Sequence, residues 1–172
     1  PALLPAYVLA GRFDRPVAIL GKELLHVRTL LAVEAARLAA LYAPAGSLDG
    51  ARKILASAKE LEHDALAHVE RELDFFRALV QSSEIWPSVW LANAFFAPMR
   101  ELQAALAPMV QHVPKNHQRE MNKLLDLIEQ RDAEGATAHV RAFFDRVDVE
   151  LLGAIGRVLT SAPPPQGKGS PR

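Results

Sequence analysis

Between Val17 and Tyr42 apolar side chains return every three or four residues, at Leu20, Leu24, Val27, Leu31, Ala35 and Leu38. That interval is one turn of α-helix. The period-two alternation of a half-buried strand persists nowhere in the chain. Alanine and leucine are abundant and β-branched residues sparse, as helices prefer. The pattern predicts an all-α fold, an antiparallel bundle of six to seven helices.

Breaks between periodic stretches divide the chain. Residues 1–16 read as a short N-terminal helix and linker, ending at Phe13-Asp14-Arg15-Pro16. The bundle itself is expected over 17–160, and 161–172, rich in proline and glycine, reads as a disordered tail. After Val17–Tyr42, Pro44-Ala45-Gly46 ends the helix and Ser47 or Asp49 caps the next, through about Leu61. Asp64 caps a helix to about Gln81, and Ser82-Ser83-Glu84 is a turn. A helix from Pro87 to Gln111 contains Pro98, where a lost backbone donor predicts a kink or interruption. His112 to His117 is read as a loop, the next helix ends near Gln130, and Asp132 caps a last one to about Leu159.

With 172 residues, half of them hydrophobic, the chain can bury a core of its own. Basic and acidic residues balance at 20 each, which gives the whole surface no electrostatic pull toward nucleic acid or an anionic membrane. No apolar run reaches the roughly 18 residues of a membrane span. No cysteine is present, which removes disulfides and thiolate metal sites and suits a cytoplasmic protein. The chain starts at Pro1 rather than Met and is read as a fragment.

Six of the seven phenylalanines form three adjacent pairs, Phe75-Phe76, Phe95-Phe96 and Phe143-Phe144. Neighbours on a helix point about 100° apart, so a pair either fills a core or turns one ring toward a lined cavity. No G-x-S-x-G elbow and no glycine-rich phosphate loop occurs. His63 and His68 stand five apart, and His112 and His117 flank Pro114; neither pair has the i, i+4 spacing of a helical zinc pair. All four read as surface histidines. No catalytic constellation, cofactor or enzyme activity is expected.

Three segments carry a resemblance. Leu24-Leu25-His26-Val27-Arg28-Thr29 with Glu34-Ala35-Ala36-Arg37-Leu38, then Glu72-Leu73-Asp74-Phe75-Phe76-Arg77-Ala78-Leu79, then Arg131-Asp132-Ala133-Glu134-Gly135-Ala136, follow one another as in the FCD-type effector domain of GntR-superfamily transcription regulators. Within that superfamily the chain is similar to the FadR subfamily, over roughly residues 17–160. The resemblance implies a cytoplasmic homodimer that binds a small effector and controls a winged-helix DNA-binding domain on the amino-terminal side, absent from this chain.

Most such domains hold a metal with one aspartate and three histidines. Here those positions carry Glu72, Phe76, Met121 and Phe143, so no metal is expected there. Members that respond to fatty acyl-CoA show the same loss. The resemblance therefore implies an acyl-CoA or long-chain-acid effector, lined by Trp86, Trp90, Phe95, Phe76, Met121 and Phe143, with Arg28 on the acidic head. Asn93 matches a family asparagine, and Phe144 stands where the acyl-CoA-responsive members carry glycine. Two alternatives remain: a filled core that only dimerises, and a metal-dependent sensor of small carboxylates that uses Glu72. Arg28 either meets the ligand or pairs internally with Glu72.

Overall fold

The computed structural model describes residues 17–58, 64–106 and 116–161. Within them are six helices and no strand: α1 (Val17–Tyr42), α2 (Asp49–Ala58), α3 (Ala65–Ser82), α4 (Trp86–Leu106), α5 (His117–Glu129) and α6 (Ala133–Ser161). The all-α bundle expected from periodicity is what forms. The helix expected in residues 1–12, the end of α2 toward Leu61 and the tail beyond Ser161 lie outside the described residues. Among the described residues no helix is long and apolar enough to cross a membrane.

Local chemistry sets most boundaries. Asp64 caps α3, its carboxylate accepting from the Ala67 amide at 3.0 Å. Asp132 does the same for α6 through the Gly135 amide at 2.8 Å. Gly46 turns the chain after α1 at a φ of 80°, a conformation that suits glycine. Pro87 occupies the first turn of α4, where its missing donor costs nothing. The same helix passes through Pro98 without interruption. His117 opens α5 instead of closing the preceding loop.

Helix α5 ends in a Schellman motif. The Asp132 amide donates to Leu127 O at 3.0 Å and the Arg131 amide to Ile128 O at 3.0 Å. The left-handed residue is Arg131, at φ 62°, where glycine is usual. Its side chain explains the choice: Nη1 donates to Ala40 O at 3.2 Å and ties this turn to the end of α1. The pairs Ala40–Arg131 and Arg28–Asp148 run in opposite chain directions, so α1 and α6 are antiparallel. These two long helices share the most extensive packing of the bundle.

The inward face of α1 keeps part of the expected stripe: Ala35 and Leu38 are buried, and Leu24 packs against the core. Leu25, Arg28, Ala32, Ala36, Ala39 and Ala40 are buried with them, whereas Val27 of the stripe is exposed. Alanines permit close helix approach, and the packing of small side chains sets the face here. Arg28 is thereby carried inside. Both Phe75 and Phe76 are buried, as are Phe143 and Phe144. Helix α3 packs against α1, α2 and α4, and α6 against α1 and α5, so both rings of each pair find core neighbours.

Candidate functional site

Polar side chains of α3 and α5 converge within the apolar interior. His68 and Glu72 lie one turn apart on α3, which places them on one face. His117, the first residue of α5, reaches them: its Nε2 donates to Glu72 Oε2 at 3.2 Å. The two imidazoles meet edge to face with centroids 4.3 Å apart. His68 and His117 are only 5% and 4% exposed, so the expectation of surface histidines is corrected for both. Helix α5 begins early enough to swing His117 inward, and α3 turns His68 toward it. His63 and His112 lie outside the described residues.

Electrostatics follow from the packing. Burial pushes His68 down to about 4, and the neighbouring His117 adds to the push while Glu72 opposes it. His68 is therefore neutral at pH 7. Burial alone would raise the Glu72 carboxyl. The hydrogen bond from His117, with the positive fields of His117 and Arg28, outweighs it and brings Glu72 down to about 2. Glu72 is an ionised carboxylate held inside the bundle.

Arg28 sits close by. Its Nη2 donates to Asp148 Oδ1 of α6, and its guanidinium carbon lies 4.2 Å from the Phe144 ring centroid. The internal partner is thus Asp148 rather than Glu72, which bonds His117. Burial raises the Asp148 carboxyl, and the attraction of Arg28 offsets this only in part. The Arg28 Nε is buried and has no hydrogen-bond partner among the described residues. A stack of rings links the two polar groups: Phe144 contacts Phe76 at 5.5 Å and Phe143 at 5.3 Å, and Phe143 contacts His117 at 5.6 Å. Met121 is fully buried in the same core.

The remaining candidates lie apart from this cluster. Trp86 and Trp90 are 63% and 67% exposed and do not line the interior. On α4 the inward positions are Val89, Ala92, Phe96 and Met99; the tryptophans, with Leu91, fall on the opposite face. Phe95 is half-buried against the core beside Phe96. Asn93 is half-buried, and its Oδ1 is enclosed without a partner among the described residues.

A family profile for the FCD domain matches residues 23–146. The chain belongs to the FCD domain family. FCD domains are the effector-binding domains of GntR-type transcription regulators, and they are not known as a catalytic family. No curated protein and no solved structure matches the chain. The matched span contains Arg28, His68, Glu72, His117, Met121 and Phe143-Phe144, all of the central cluster except Asp148.

The metal usual in FCD domains does not fit the residues at its expected positions. Phe76 and Phe143 are hydrocarbon rings packed in the core, and Met121 offers only a thioether. Glu72 nonetheless has two imidazoles beside it, those of His68 and His117. In the sequence, the i, i+4 spacing of His68 and Glu72 on one helix is the signal for the first of them. Asp148, 120 residues from Arg28, gave none.

Proposed function

We propose that this FCD domain senses an organic acid, whose carboxylate is taken by Arg28 at the bundle centre. The observation that carries the reading is the state of Arg28. It is a buried guanidinium, stacked on Phe144, with Asp148 engaging Nη2 and no partner for Nε among the described residues. A guanidinium offers a planar fork that matches a carboxylate. In a GntR-type regulator the binding of such an acid alters the affinity of a dimeric winged-helix reader for its operator. An effector shifts that equilibrium only by its preference for one arrangement of the helices.

A small acid is favoured over a long one by the packing. Phe76, Met121, Phe143 and Phe144 are all closely enclosed, and their rings touch. An acyl chain has to part them. A fatty acyl-CoA or long-chain acid is the second reading, supported by the wholly apolar character of that cluster: each methylene buried there contributes about 0.8 kcal/mol.

The test is a thermal-shift titration of the purified chain with short mono-, di- and tricarboxylates, long-chain acids and acyl-CoA. A ligand that binds only the native state raises its melting temperature, by about 2.7 kcal/mol of stability at a hundredfold excess over Kd. The expected result is a shift with a short acid that Arg28→Met abolishes. A shift only with long acyl ligands favours the second reading. No shift with any acid, or one that Arg28→Met leaves intact, refutes the proposal. With the full-length regulator, the same acid is expected to change operator affinity.

A further inference from the structure

His68, Glu72 and His117 do more than hydrogen-bond. One donor atom of each lies within 4.8 Å of the other two, and the three come from two helices. The cluster is enclosed, with side-chain exposures of 5% for His117 and 12% for Glu72. The His68 Nε2 is buried with no hydrogen-bond partner among the described residues. An imidazole nitrogen left unpaired in a protein interior is costly. Here it stands beside an ionised carboxylate and a second imidazole, a polar grouping with a donor to spare.

We propose that His68, Glu72 and His117 form a binding site for a divalent first-row transition-metal ion. Two imidazoles and one carboxylate are a donor set such ions accept, with coordination positions left for water or an acid. Bonds of about 2.0–2.2 Å place neighbouring donors about 3 Å apart. The donors, within 4.8 Å of one another, therefore have to close by at most about 2 Å on an ion. Each imidazole binds through a ring nitrogen that carries no proton, so the affinity of such a site depends on pH. The negative charge of Glu72 offsets part of the cation's charge in a buried setting.

The location is specific. One turn further along α3 and α5 stand Phe76 and Met121, neither of which supplies a nitrogen or oxygen. One turn along α6 from Phe143, His139 is engaged elsewhere, its Nε2 2.8 Å from Glu120 O. The Phe143 ring closes the site from the side, 5.6 Å from His117. A first-row ion held by three protein donors keeps a coordination position for a further ligand. That last step alone rests on the acid-sensing reading; the ion itself does not.

The experiment uses the whole chain, stripped by a chelator, with Co2+ and Zn2+ as probes. The expected result is visible Co2+ absorption that saturates near one equivalent and is displaced by Zn2+. Loss of a partner outside the coordination shell already costs about 10–100-fold in affinity. His68→Gln and His117→Gln, each kept only if helical by circular dichroism, are thus expected to weaken Zn2+ binding at least about 100-fold. The exposed His26→Gln should leave it unchanged. A folded chain that gives no Co2+ band, or a His68→Gln/His117→Gln double variant that binds Zn2+ as wild type does, overturns the proposal. An acid that stabilises the chelator-treated chain keeps the effector reading if the ion fails. Zn2+ binding without any acid response keeps this site if the effector reading fails.

Discussion

Replacing Arg28 by methionine isolates the contribution of the polar tie between the two longest helices. Methionine keeps the aliphatic stem and removes the guanidinium. Breaking a fully buried ion pair costs about 3–5 kcal/mol. Here the Asp148 side chain keeps 19% of its surface in water, so the stranded carboxylate is partly solvated and the figure falls. Burial has already raised the Asp148 carboxyl despite Arg28. Once the guanidinium is gone it rises further and takes up a proton more readily. The contact with Phe144 is also lost, worth about 1–2 kcal/mol in a desolvated place. The expected cost of Arg28→Met is about 2–4 kcal/mol at pH 7, read from urea midpoints at a constant m-value. Asp148→Asn should cost less, since an amide oxygen can still accept from Arg28 Nη2 while a carboxylate that burial disfavours is neutralised. The double variant should then recover about 1–3 kcal/mol relative to additivity. Arg37→Met is the control: its pair with Glu34 is 43% and 48% exposed and should cost under about 1 kcal/mol. Strict additivity of Arg28→Met and Asp148→Asn, or a cost no larger than that of Arg37→Met, would falsify the account of the buried tie.

Three further outcomes are expected. Arg131→Ala should destabilise by about 1 kcal/mol, since it loses the bond to Ala40 O and stays left-handed, whereas Arg131→Gly should be near neutral because relief of the backbone offsets that loss; equal chemical-denaturation midpoints for the two would refute this reading. Leu124→Ala, at a fully buried position on α5, should cost about 2–5 kcal/mol in the same assay, and an effect under about 1 kcal/mol would contradict the core described here. Trp86 and Trp90 should emit at long wavelength and be quenched by iodide in the free chain, and blue-shifted, unquenched emission would place them inside after all.

Much of the scaffold can be read from local chemistry. Val17–Tyr42 was bounded at both ends by its period and by Pro44 and Gly46, and Asp64 and Asp132 were recognisable as caps. These signals act over a few residues and need no tertiary partner. The face of α1 was legible in part: Ala35 and Leu38 of the periodic stripe are buried, but Val27 is not, and only packing brings Arg28, Ala32, Ala36 and Ala39 inside. The centre of the site was half visible. Arg28, Glu72 and Phe144 stood out, but the tie to Asp148 and the approach of His117 to His68 are made by helices that meet only when the bundle closes. The tryptophans misled for a related reason: aromatic size suggests an interior, but α4 has an alternative inward row in Val89, Ala92, Phe96 and Met99.

The alanine seam of α1 restricts how this bundle can move. Alanine has no side-chain torsion to readjust, so Ala32, Ala35, Ala36, Ala39 and Ala40 cannot absorb a displacement by switching rotamers. If α1 shifts against its neighbours, it slides as a stiff rod along a smooth track. Bulkier residues in that row would act as brakes, jamming the track whether or not any ligand is near.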